Sequence, residues 1–253
     1  MTNLRNIYGI VVAAGQGTRL GFDMPKALVK IRDGEEQTIL GLALSQLCKT
    51  PGVTFSKFFV TYPDGYLGQF ESVLEDAASL VLGGAASLVL GGAASLVLGG
   101  AASLVLGGAT RQESVRLALQ AIGELKPKPR DLVLIHDAAR CFVDPETVRA
   151  VIDCAAATGA ATLGVPQTDS LKVVNSVDLR VERSVSREEL WRVQTPQVFE
   201  FQHIIRAHAE YQGPATDDAS MVEPFHSVQM VMGSEQNFKV TTSWDLELLR
   251  CLV

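Results

Sequence analysis

The chain has 253 residues and a formal net charge of −6, with 47% hydrophobic and 20% charged residues. That length suits one large α/β domain or two small ones, in an ordinary globular composition. The acidic balance argues against nucleic acid, whose phosphate backbone selects a basic face, and leaves room for a small anion held by a local cluster of Arg and Lys.

Cys48, Cys141, Cys154 and Cys251 are scattered without a C-x-x-C pair, which gives no zinc site and fits a reducing interior. The residues around Met1 lack a signal peptide's apolar region, and no run of ~18 apolar residues is present to span a membrane. A cytoplasmic protein is the expectation.

Ile7–Val12 is an apolar run that predicts a buried strand. It opens into Ala13-Ala14-Gly15-Gln16-Gly17-Thr18-Arg19, with Pro25-Lys26 close behind. Glycines let a backbone approach phosphates and aim N–H groups at them, while Arg19 and Lys26 add full charges. The loop is not a dinucleotide fingerprint, because Leu20 stands where the third glycine belongs, and it is not a P-loop. On its own it reads equally as a tight turn. Further along, 38–49 predicts a helix, Lys57–Tyr62 a strand, 112–125 a periodic helix, and 131–136 a strand that enters the polar turn Asp137-Ala138-Ala139-Arg140. Asp144-Pro145 signals a helix start, 160–165 and 227–232 read as strands, and 245–252 closes as a helix. This alternation predicts an α/β fold with a doubly wound, mostly parallel, Rossmann-like sheet, whose ligands bind at the carboxyl ends of strands.

Two segments depart from the alternation. Within 166–190, 171–174 and 179–181 alternate like a hairpin, an arm that cannot bury both faces alone and so predicts a homodimer. Residues 77–108 are four identical copies of Ala-Ala-Ser-Leu-Val-Leu-Gly-Gly, too short and too uniform for a solenoid. One copy suffices as a strand leading into Ala109-Thr110-Arg111. The other three are expected to bulge out or displace a neighbour, and their uncharged β-formers are an aggregation hazard.

Five further clusters carry chemistry. Gly107-Gly108-Ala109-Thr110-Arg111-Gln112-Glu113-Ser114 joins a strand to a helix, with capping by Thr110 as the simpler role. His136-Asp137-Ala138-Ala139-Arg140 sets a carboxylate and a cation at a strand end, as a surface ion pair or as a site. Asp137 suits magnesium, a hard cation that keeps waters and substrate phosphates as its other ligands; His136 reads as structural. Trp191 to Gln197 follows the arm, Asp217 and Asp218 read as helix caps, and Lys239 as a lysine in a strand.

Together the motifs AAGxGxR…PK, GGxxRxxS, HDAAR, QTPQ, TDDAS and NxKVT resemble the polyol-phosphate cytidylyltransferases, above all the branch acting on 2-C-methyl-D-erythritol 4-phosphate. The resemblance covers nearly the whole chain once three repeat copies are set aside, and it implies a single nucleotidyltransferase domain that uses CTP, a polyol phosphate and Mg²⁺. It implies that Arg19 and Lys26 hold the triphosphate, and that Ala13, Ala14, Gly15, Gly17, Gly108, Arg111 and Ser114 frame the nucleotide. Arg187 and Lys239 then position the substrate phosphate, with Asp137, Ala138, Arg140, Ser170 and Thr195 around the polyol and the arm crossing to a second subunit. Three positions depart from the usual pattern: Cys141 follows HDAAR in place of proline, Gln236 stands for an acid and Ser170 for threonine. Ribitol 5-phosphate is the rival substrate, and a non-catalytic nucleotide-binding module the rival from another class.

Overall fold

A computed structural model describes residues 5–17, 21–32, 34–82, 88–91, 95–98, 102–213 and 215–253, with the backbone alone described at 78–82, 88–91 and 95–98. The first strand, β1 (Ile7–Val12), lies between β2 (Lys57–Tyr62) and β6 (Leu132–Asp137), parallel to both, so that Val12 sits beside Asp137. Its period-2 alternation serves two cores at once. Val11 packs with Phe58, Val60 and Leu134 beneath α1 (Ile39–Cys48), α2 (Leu67–Leu82) and α4 (Pro145–Thr158). Tyr8 and Ile10 pack with Phe59 and Val133 beneath α3 (Arg111–Gly123), α5 (Phe201–Glu210) and α6 (Asp218–Val222). Apolar residues on both faces are what a sheet covered by helices on each side requires. A third cluster seats α7 (Ser243–Leu252) against α1 through Leu246, Leu249, Ile39 and Leu42.

The predicted helix starts hold. Thr38, Thr110 and Asp144 each accept a hydrogen bond from the first turn of the helix they begin, and Pro145 follows Asp144. The full sheet order is β11 (Gln229–Met232), β7 (Ala160–Pro166), β10 (Trp191–Glu200), β6, β1, β2, β5 (Ala102–Leu106), β4 (Ser95–Leu98) and β3 (Leu88–Gly91), with β7 and β11 also parallel to each other. The sequence reading lacks the helices α2 and α5 and, outside the repeat, one strand of the main sheet: β10 runs antiparallel between β6 and β7. The QTPQ run hid it, since Gln194, Thr195 and Gln197 are polar yet buried. Its ladder with β7 skips from Gln194 to Gln197, which leaves Thr195 and Pro196 bulged beside the end of β6. The arm is the separate hairpin β8 (Leu171–Val174) with β9 (Val181–Val185), and Val177, Leu179 and Val181 stand 91%, 77% and 56% exposed.

The repeat departs from the expectation of one copy in the sheet and three that bulge out or displace a neighbour. Its first copy ends α2 as helix, the second forms β3 (Leu88–Gly91), the third β4 (Ser95–Leu98) and the fourth β5 (Ala102–Leu106). Only the fourth joins the parallel ladder, against β2; β4 and β3 extend that edge antiparallel. One octapeptide thus adopts helix and strand according to its neighbours. Phe70, Leu74 and Ala77 bury the helix face that carries copy one onward, whereas copy four lies along β2. Local propensity yields to context here.

Candidate active site

The site grows from two adjacent parallel strand ends. After β1 the chain passes Ala13, whose N–H donates to the Thr61 hydroxyl at 3.1 Å, and turns at Gly17. A Cβ at Gly17 would meet the Met24 carbonyl at 2.3 Å, so only glycine lets the loop fold back this tightly. The return, bridged from Gln16 to Pro25, places Lys26 on a single 3-10 turn. Arg19 lies outside the described residues. The wall beside Ala14 is the loop after β5: a Cβ at Gly107 would come within 2.5 Å of the Ala14 Cβ and 3.1 Å of Ser114 Oγ. Ser114 Oγ accepts from the Gly108 N–H at 3.1 Å and donates to the Thr110 carbonyl at 2.9 Å. Its hydroxyl therefore fixes the shape of the glycine loop. Gly15 is exposed at the rim of the first loop.

After β6, Asp137 accepts from Arg111 Nε at 2.9 Å and from Lys239 Nζ at 2.6 Å. Arg111 also donates to Asp218 at 2.8 Å. The sequence reading of Asp217 and Asp218 as two caps is half corrected. Asp217 caps α6 by accepting from the Ser220 N–H, while Asp218, 1% exposed, is the second counter-ion of Arg111. Likewise Lys239 sits in no strand but in an irregular segment tied to the polar turn by the Val240 N–H and the Ala139 carbonyl. Burial pushes the Asp137 carboxyl upward, but Arg111 and then Lys239 outweigh it and hold its pKa well below the usual carboxylate range. Asp218 is depressed in the same way, with burial overcome mainly by Arg111. Arg111, which burial alone would make less basic, is held firmly charged by Asp218 and Asp137.

Arg140 donates to the carbonyls of Asn237 and Val193, while its buried Nε has no partner among the described residues. Ala138, 2% exposed, donates its N–H to the Val12 carbonyl and locks the two strand ends together. Thr195 accepts from the Asp137 N–H at 3.0 Å and lies 3.2 Å from His136 Nδ1; His136 Nε2 lies 3.1 Å from the Arg140 carbonyl. Because that carbonyl only accepts, the proton of neutral His136 is assigned to Nε2, and Nδ1 accepts from Thr195. His136 is therefore structural, as its sequence context implied, and burial pushes its pKa down to about 4.

That shift sets an acid limb. The unfolded chain takes up a proton near pH 6.5 and the folded one only near 4, so stability is lost as pH falls across that window, by about 3 kcal/mol at its end. Below it the stabilising contributions of the depressed Asp137 and Asp218 are lost in turn, as the unfolded carboxylates take up protons that the folded ones still refuse. His136→Gln, which cannot titrate, should flatten the urea-midpoint profile between pH 6.5 and 4. An unchanged slope would remove His136 as its source.

Arg111, Asp137, Arg140, Thr195 and Lys239 line one cavity of about 430 Å³, joined by Gln194, Gln197, Asp217 and Glu223. Sequence reasoning gave Gln197 no role, although it organises the rear wall. Its amide donates to Thr162 and Asp217 and accepts from the N–H groups of Asp218 and Ala219, which satisfies the start of α6. Asn237 similarly donates to the Thr195 carbonyl. QTPQ and NxKVT were the available signals, but nothing in a linear motif shows which amides turn inward. Ser170 and Arg187 do not join this cavity. Both are exposed in the arm region, where Arg187 donates to the Thr168 carbonyl.

A family model described as 2-C-methyl-D-erythritol 4-phosphate cytidylyltransferase matches residues 7–253. A bifunctional enzyme IspD/IspF of Rhodopseudomonas palustris is 38% identical over 250 residues, 97% of this chain and 55% of that protein. The chain thus spans about half the length of such bifunctional relatives. The 2-C-methyl-D-erythritol 4-phosphate cytidylyltransferase of Desulforamulus reducens is 32% identical over 252 residues, 98% of this chain and 96% of the other. The solved structure of the Thermus thermophilus enzyme of that name superposes with a TM-score of 0.69 at 30% identity, covering 98% of each chain. On this sequence match and this shared fold, the chain belongs to the 2-C-methyl-D-erythritol 4-phosphate cytidylyltransferase family.

Proposed function

We propose that the chain transfers CMP from CTP to 2-C-methyl-D-erythritol 4-phosphate and releases pyrophosphate, a step of isoprenoid precursor synthesis. The observation that carries this reading is the Arg111–Asp137–Lys239 ion-pair chain at the end of β6, beside the glycine loop that follows β1. A phosphate oxygen of the polyol substrate attacks the α-phosphorus of CTP. The new P–O bond forms as the α,β-bridging bond breaks, and the bridging oxygen leaves on pyrophosphate. The attacking phosphate is already anionic near neutral pH, so no strong base is needed; catalysis is positioning and charge stabilisation. Lys239, paired with Asp137 yet 38% exposed, has N–H donors left for the substrate phosphate. Lys26 and Arg19 take the triphosphate, Ala13 to Gly17 and Gly108 offer backbone to the nucleotide, and Arg140 and Thr195 face the polyol.

Asp137 makes a poor magnesium cage alone. Both its oxygens accept from cations, and the described residues hold no group of three or more His, Cys, Asp or Glu suited to a metal. Magnesium would accordingly be carried by the triphosphate oxygens and water, where it would neutralise charge. A homodimer through 166–190 fits the exposed apolar Val177, Leu179 and Val181 and would bring Ser170 and Arg187 to a partner's site. No described helix is long and apolar enough to cross a membrane. The four free cysteines support a reducing, cytoplasmic setting.

Pyrophosphate release with CTP should be strong for 2-C-methyl-D-erythritol 4-phosphate, and weak for ribitol 5-phosphate or when UTP replaces CTP. Preference for ribitol 5-phosphate would reassign the substrate, and no release with any pair would leave a binding module.

A further inference from the structure

The end of the sheet at β3 is peculiar to the repeat. Among the described residues no strand pairs with the outer edge of β3, and such an edge presents a row of unpaired N–H and C=O groups. Natural edges are blunted with charge, proline or bulges, yet the repeat contains no Lys, Arg, Asp, Glu or Pro. The molecule also displays what this sequence pairs with. β3 and β4 come from identical octapeptides and lie antiparallel, Leu88 beside Leu98, Val89 beside Val97 and Leu90 beside Leu96. The octapeptide is its own antiparallel partner, and the outer edge of β3 is the next place where that pairing can occur.

We infer that β3 docks edge to edge on β3 of a second copy of this chain, antiparallel about a two-fold axis. Two arguments select a second copy over any other partner. The required strand is already shown to recognise its own sequence, and a two-fold contact gives both edges a partner in one step, so neither β3 edge is left over at the contact. The strand is only four residues long, Leu88–Gly91, which makes the contact weak and concentration-dependent. It is distinct from the arm hairpin, which belongs to a separate sheet.

The test compares three purified full-length proteins by light scattering across a concentration series: the chain itself, Val89→Lys, and Leu90→Lys, which places the charge on the other face of the same strand. The arm is present in all three, so the difference between them reports the β3 contact. An arm-paired dimer would carry two β3 edges, so the unaltered chain should exceed the mass of the other two by about twofold or more at high concentration, and the two variants should match each other. Equal masses for all three would overturn the inference, as would excess mass that survives both substitutions. Should one variant fail to fold, the other decides, with retained pyrophosphate release as its check of folding.

Discussion

Asp137→Ala should abolish measurable turnover and cost about 3 kcal/mol of folding stability, since removing one partner of a buried ion pair strands the other charge. Two cations depend on this carboxylate, at 2.9 Å and 2.6 Å. The cost stays at the low end of such losses because Arg111 keeps Asp218 and Lys239 is partly solvated. Asp137→Asn separates shape from charge: the amide oxygen still accepts one hydrogen bond, but two cations are left facing a neutral group. Displacement of Lys239 by about an ångström is enough for a roughly hundredfold fall in turnover. The double variant with Lys239→Ala decides the role. If Asp137 works by holding Lys239, the double variant is little worse than Lys239→Ala alone, a coupling that a thermodynamic cycle reads directly. Urea unfolding and pyrophosphate release supply both axes. Turnover of Asp137→Ala within tenfold of the unaltered chain would refute the assignment.

The parts of this site that the sequence made legible are those with strand periodicity or a local cap. Ile7–Val12 and the 131–136 run announce themselves by apolar continuity, and Thr110 and Asp144 by capping, so the loops after β1 and β6 could be placed before any fold was known. What stayed hidden depends on long-range satisfaction of buried polar groups. β10 reads as polar because Gln194 and Gln197 spend their amides on Ser234, Thr162, Asp217 and the start of α6, partners that only the folded sheet supplies. Asp218 looked like a cap since two adjacent aspartates before a helix usually are; its salt bridge to Arg111 spans more than a hundred residues. The repeat is illegible for a related reason. Identical octapeptides carry no information about which copy meets β2, and their contacts make one a helix end and three strands.

Lys26→Ala should lower kcat about 10²- to 10³-fold, the loss that follows removal of one preorganised donor at the developing charge, with little change in stability. The fold fixes this residue's place by sterics: Gly17 permits the tight return and the Gln16–Pro25 bridge closes it, which sets Lys26 on a 3-10 turn directly after the loop that follows β1. Its charge is felt at Cys141, where burial, outweighing the downward pull of the backbone and of Lys26, pushes the thiol up to about 12. Arg187→Ala should behave differently and raise KM for the polyol phosphate, because Arg187 is exposed on the arm and absent from its own chain's cavity. If the arm completes a neighbour's site, the two defects lie on different chains of one dimer and can complement. A mixed dimer holds one site with Lys26 from the Arg187→Ala chain and Arg187 from the Lys26→Ala chain. After subunit exchange, random pairing makes half the dimers mixed, and an equimolar mixture should recover about a quarter of full activity at limiting polyol phosphate. A mixture that performs no better than the average of its two components would place Lys26 and Arg187 in the same chain's site, or Arg187 in none.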